Sequence, residues 1–204
     1  AAISHDLKSP LARVRLRIEE LEDEGRRRDI EADLDEMLQM IDSSLDFLKP
    51  DHGGEDLQRI DMGAIVGSIC DDISDRGHAV TLHRQDRAVV QGRRLALKRA
   101  FTNLIGNAIK YGMSAGVTVT TEQDTVTVTI VDEGPGIPED ELERVFAPFY
   151  RVETSRSRET GGVGLGLTVA HTVITAHGGT LKLSNRPEGG LKAVATLPKS
   201  SARP

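Results

Sequence analysis

Two runs of apolar residues at spacings of three and four dominate the first 50 positions. Leu7, Leu11, Val14, Ile18 and Leu21 form one run, and Ile30, Leu34, Met37, Ile41, Leu45 and Leu48 the other. Such spacing puts one narrow apolar seam on each of two helices. Glu24-Gly25-Arg26 interrupts the pattern, so the pair reads as an antiparallel hairpin closed by a short loop. A hairpin of this size buries too little to stand alone. Its seam is therefore expected to pair with a second copy in a four-helix bundle, the alternative being that it packs on the rest of its own chain.

The stretch from Lys49 to Glu55, with Pro50, Gly53 and Gly54, ends the helical pattern and reads as part of a linker over 51–59. Residues 60–200 then mix element types. Helices are expected near Met62–Arg76, Arg93–Tyr111 and Leu165–Ala176, and strands near Ala79–His83, Ala88–Gln91, Val117–Thr121, Thr125–Val131, Thr180–Leu183 and Leu191–Leu197. This is an α+β sandwich, one sheet with helices on one face. Cys70 is the one cysteine, which excludes an internal disulfide framework, and a net charge of -6 argues against a general nucleic-acid binder. No run approaches a membrane span or a signal sequence, and the lone cysteine fits a reducing compartment, so the expected setting is the cytoplasm, for the whole protein or for the cytoplasmic part of a membrane-anchored one.

Near the start stands Ser4-His5-Asp6-Leu7-Lys8-Ser9-Pro10-Leu11. At about 100° per residue His5 lies about 160° from the seam and so points to solvent, with Ser9, Ala12 and Leu16 on its side. The plain reading is a solvated surface histidine. The chemical reading is a neutral imidazole, nucleophilic toward phosphorus, with Asp6 placed to hold its opposite N–H. Pro10 costs one backbone bond and loosens the turn that carries His5.

That reaction needs a phosphoryl donor, and three later stretches suit a nucleotide. Arg99, Asn103, Asn107 and Lys110 line one stripe of the long helix, opposite Leu97, Phe101, Leu104, Ile105 and Ala108. Asparagine is a poor helix-interior residue. Two at this spacing suit either a solvated polar face or a neutral oxygen ligand for Mg²⁺ flanked by cations. "DEGPGIP", Asp132 to Pro138, puts a carboxylate at a strand end before two glycines, which suits an adenine amino group or simply a tight turn. "GGVGLGL", Gly161 to Leu167, opens the last helix, where backbone N–H groups can converge on phosphate. Between these glycine motifs "FAPFYR", Phe146 to Arg151, reads as the base of a lid anchored by Phe146 and Phe149, with Arg151, Arg156 or Arg158 able to reach a terminal phosphate.

In this order the motifs resemble the boxes of a sensor histidine kinase of a two-component system, over nearly the whole chain. "SHDLKSPL" looks like the H box, Asn103 to Tyr111 the N box, "DEGPGIP" the G1 box, "FAPF" the F box and "GGVGLGL" the G2 box. The resemblance implies a dimerisation and phosphotransfer hairpin at 1–50 and a Bergerat-type ATP-binding domain at 60–200. It implies His5 as phosphoryl acceptor assisted by Asp6, and Asn107 as the Mg²⁺ ligand. The ATP site would take in Asn103, Asn107, Lys110, Tyr111, Asp132, Gly134, Gly136, Ile137, Phe149, Arg151, Gly162, Gly164, Leu165 and Gly166. The implied partners are a second copy and a response-regulator receiver domain, with a first helix extending upstream toward a sensor segment. Asp6 stands where many members have glutamate, Val163 where they often have threonine or serine, and Ser9 where members with phosphatase activity often have threonine or asparagine. Two other classes remain on the residues alone, a nucleotide-binding scaffold and a Bergerat ATPase without a phosphoenzyme.

Overall fold

The computed structural model describes residues 55–152 and 163–200, together with positions 14, 18, 23–27, 30, 31, 34 and 37. His5, Asp6, Ser9, Gly162, Arg156 and Arg158 lie outside the described residues. In the N-terminal segment every described position except Asp23 is helical. Asp23 Oδ1 accepts hydrogen bonds from the backbone N–H of Gly25 at 3.0 Å and of Arg26 at 3.1 Å. These are amides that a helix start leaves unpaired. The break expected at Glu24-Gly25-Arg26 is thus displaced by this cap: the three residues form a first helical turn, and the interruption sits at Asp23. Ile18 and Leu34 are buried, whereas the seam residues Val14 and Met37 keep 40% and 51% of their surface.

From Gln58 onward the described chain runs β1 (Gln58–Asp61), α1 (Met62–Ser74), β2 (Ala79–Gln85), β3 (Val89–Gly92), α2 (Arg94–Gly112), β4 (Ser114–Thr121), β5 (Thr125–Val131), α3 (Gly166–Ala176), β6 (Thr180–Asn185) and β7 (Leu191–Pro198), with 3-10 turns at Glu139–Glu141 and Arg144–Phe146. The five-stranded sheet has the order β2-β4-β5-β7-β6, parallel only between β2 and β4. Period-two alternation sends Val117, Val119, Val126, Val128 and Ile130 to one face, where they meet Phe101 and Ile105 of α2 and Val173 and Ile174 of α3 in a continuous core. Threonines 118, 120, 127 and 129 fill the half-buried positions between them. Among the described residues no helix is long and apolar enough to cross a membrane.

Strand β1 was not expected, and with β3 it makes a separate two-stranded sheet. Gln58 and Arg59, read from the sequence as linker, are strand residues because β3 supplies their partners across a long stretch of chain. Glu55 is engaged as well. The α2 cap residue Arg93 makes no side-chain capping bond. The Glu55 carboxylate accepts instead from Leu95 N–H at 2.8 and 3.1 Å, and His177 Nε2 accepts from Arg93 N–H at 3.0 Å. The start of α2 is thereby pinned to the chain before β1 and to the end of α3.

Candidate active site

One cavity of about 880 Å³ lies where the ends of β5, β6 and β7 face the second half of α2 and the start of α3. Ile130, Leu183, Ala193, Leu104 and Ala108 give it an apolar lining. Asp132, one residue past β5, is the buried acid among them, 7% exposed. Its Oδ1 accepts from Gly134 N–H at 2.8 Å and Leu191 N–H at 3.0 Å. Among the described residues Oδ2 makes no hydrogen bond, so it remains to accept from a ligand N–H. The Asp132 backbone is held too: its N–H donates to Leu191 O at 3.0 Å, and Arg186 Nη1 donates to its carbonyl at 2.7 Å.

Two glycines permit this packing. A Cβ on Gly112, the last residue of α2, would lie 2.5 Å from Asp132 Cβ, and one on Gly134 would lie 2.7 Å from Tyr111 O. Backbone and acid approach more closely than any side chain allows. Gly112 as a site-shaping residue was missed from sequence, where the expected helix stops at Tyr111.

To the same lining α2 contributes Asn107, Lys110 and Tyr111, the segment after the second 3-10 turn contributes Tyr150 and Arg151, and the approach to α3 contributes Gly164, Leu165 and Gly166. The Lys110 ammonium lies 5.1 Å from the centre of the Tyr111 ring. Burial pushes the Tyr111 hydroxyl above its ordinary range, and the Arg151 guanidinium pulls it partly back. It therefore stays a neutral donor at neutral pH. Asn107 side-chain atoms lie 3.7 Å from the point where a Gly166 Cβ would sit, so its carboxamide faces the helix start. A neutral oxygen beside cations and N-terminal amides fits a Mg²⁺-bound polyphosphate.

The structure thus brings together Asn107, Lys110, Tyr111, Asp132, Gly136, Ile137, Arg151, Gly164, Leu165 and Gly166 on one cavity. Gly134 stands beside it, hydrogen-bonded to Asp132. Asn103 is not part of the lining; it sits one turn back along α2, with its Cβ 3.8 Å from a Gly166 Cβ position. Phe149 departs from expectation. It does not anchor the lid base: its backbone is left-handed at φ 63°, its N–H donates to Gly164 O at 3.1 Å, and its side chain is 60% exposed. Phe146 does pack inward, its ring 4.7 Å from that of His171. Sequence reasoning also missed Tyr150, under the Arg144 guanidinium at 4.7 Å, because nothing in its spacing marks it.

An α/β sandwich with this cavity between sheet ends and two helices is a nucleotide-binding domain. A family model described as the histidine kinase-, DNA gyrase B-, and HSP90-like ATPase matches residues 92–201, and the His Kinase A (phospho-acceptor) domain model matches residues 1–53. The chain belongs to this ATPase family and, with both models in series, to its sensor histidine kinases of two-component systems. It is similar to the sensor histidine kinase GtrS of Pseudomonas aeruginosa, 36% identical over 98% of this chain and 41% of that protein. The signal transduction histidine-protein kinase BaeS of Escherichia coli is 30% identical over 97% of this chain and 46% of its own length. The chain therefore spans less than half of these curated relatives. The solved ATP binding domain of PrrB from Mycobacterium tuberculosis matches with a TM-score of 0.60 at 27% identity, covering 72% of this chain and 100% of that one.

Proposed function

We propose that the chain is the catalytic core of an ATP-dependent protein-histidine kinase that phosphorylates its own His5 and passes the phosphoryl group to an aspartate of a response-regulator receiver domain. The observation that carries this reading is a single cavity whose lining combines an apolar slot and the acid Asp132 with the cations Lys110 and Arg151. Adenine fits the slot, its amino group donating to Asp132 Oδ2, and the phosphates run toward Asn107 and the start of α3. Mg²⁺ held by Asn107 and the phosphates would supply charge neutralisation there.

Lys110, Arg151 and the α3 amides offset charge on the transferring group. A ring nitrogen of neutral His5 forms the N–P bond as the bond from the γ-phosphorus to the bridging oxygen breaks, and ADP leaves with the electron pair. Asp6 holds the opposite ring N–H and offsets the positive charge that develops on the imidazole. In the second step a receiver carboxylate oxygen takes the phosphorus, and His5 regains its neutral ring. Ser9 would orient a water for hydrolysis of the receiver phosphate, a phosphatase activity.

Residues 1–50 form the dimerisation and phosphotransfer unit and 60–200 the ATP-binding unit, joined through 51–59. Pairing of two hairpins is supported by the seam residues Val14 and Met37, which a single chain leaves exposed. The core works on the cytoplasmic side, where ATP and receiver domains are found.

Incubation with Mg²⁺ and γ-labelled ATP, beside His5→Gln, tests the proposal. Acid-labile label that the variant lacks is the expected result. Retention of label in His5→Gln, or ATP turnover without any phosphoprotein, would overturn it.

A further inference from the structure

Asn185 ends the edge strand β6 and does not line the cavity. Its carboxamide is nonetheless committed to one segment of the cavity wall. Oδ1 accepts from Ile137 N–H at 2.9 Å, while Nδ2 donates to Ile137 O at 2.7 Å and to Glu139 Oε1 at 3.0 Å. One side chain thus holds both backbone polar groups of a wall residue 48 positions away. Gly136 makes the approach possible. It has φ +74°, and a Cβ there would lie 2.5 Å from Asn185 Oδ1.

We propose that Asn185 is a positioning residue for nucleotide binding, fixing the cavity wall from Pro135 to Pro138 through Ile137. The proposal rests on the nucleotide reading above. At one end this wall is tied by Gly134 N–H to Asp132 Oδ1, and at the other by Asn185 alone among the side-chain bonds described. Without Asn185 the Ile137 N–H and C=O turn to water, and the segment gains freedom that each binding event must remove. The loss falls on the base, which every adenine ligand shares. It is therefore independent of the number of phosphates.

The test titrates the full chain with adenosine, ADP and a non-hydrolysable ATP analogue with Mg²⁺. Asn185→Asp keeps the shape but sets a carboxylate against Ile137 O and Glu139. Its Kd is expected to rise by the same factor, about tenfold, for all three ligands. Amide exchange over 134–138 is expected to speed up in the ligand-free protein. Adding Glu139→Gln restores a donor opposite the new carboxylate and is expected to recover part of the affinity. Glu139→Ala, on an exposed residue that leaves β6 intact, is the second variant, with an equal rise of about twofold. Unchanged affinity in both variants, or a loss confined to the triphosphate analogue, would overturn the role of Asn185. Failure of the unaltered chain to bind any of the three would overturn the nucleotide reading instead.

Discussion

Around Asp132 the chain closes its polar groups with its own backbone and with the Asn185 and Arg186 side chains, whereas the part of the lining around Asn107, Lys110 and Arg151 is made of long side chains and a helix start. The first part is a template. Oδ1 of Asp132 is committed to two amides, its carbonyl to Arg186, and the wall beside it to Asn185. The second works by charge and by amides that any phosphate oxygen can use. A template fails on displacements of an ångström; an electrostatic site loses affinity gradually and in a salt-dependent way.

Breaking the template should give the largest effects. Asp132→Asn keeps an acceptor for Gly134 and Leu191 but turns Oδ2 into a donor facing the adenine amino group, and calorimetric Kd for ADP is expected to rise on the order of 100-fold. Gly112→Ala drives a Cβ to 2.5 Å from Asp132 Cβ. It should weaken ADP by about 30-fold without altering any group that touches the ligand.

Changes in the cationic part sharpen the contrast. Arg151→Ala is expected to weaken a non-hydrolysable ATP analogue by about fivefold at 0.1 M salt, and less as salt rises, with adenosine unaffected. Outside both parts, Met113 ends α2 in the left-handed region at φ 60° and is 84% exposed. Met113→Gly should therefore stabilise the fold by about 0.5–1 kcal/mol in denaturant titration while leaving nucleotide affinity unchanged.

An effect confined to alkaline pH concerns Cys70, whose thiol is pushed up from 9.0 to about 11, first by burial and then by Asp71. Between these values the unfolded chain releases a proton that the folded one keeps, so stability should fall as pH rises from 9 toward 11. Below that window the thiol contributes no pH dependence, and alkylation at pH 8 should be far slower than that of a free cysteine.

Legibility in the sequence follows the same division. The long alternations of β4 and β5 and the apolar face of α2 were readable because local periodicity and burial agree there. Asp132, Asn107, Gly136, Gly164 and Gly166 carried motifs, and the structure brings them to one cavity. The four residues of β1 lack such a pattern, since their only buried side chain is Ile60 and their partner is distant in sequence. Asn185 and Arg186 fall between the expected strands Thr180–Leu183 and Leu191–Leu197, where no local pattern marks them; their targets, Ile137 and Asp132, are 48 and 54 residues away in sequence. Phe149 was misread because its backbone is left-handed, a conformation that its residue type does not announce.

The most direct measurement of the two-part cavity is a titration of adenosine, ADP and the ATP analogue, with Mg²⁺ throughout, into the unaltered chain, Asp132→Asn and Arg151→Ala. The account predicts that Asp132→Asn weakens all three ligands by one common factor, and that Arg151→Ala weakens the analogue most and adenosine not at all. Normal adenosine binding by Asp132→Asn, or equal losses for all three ligands in Arg151→Ala, would contradict it.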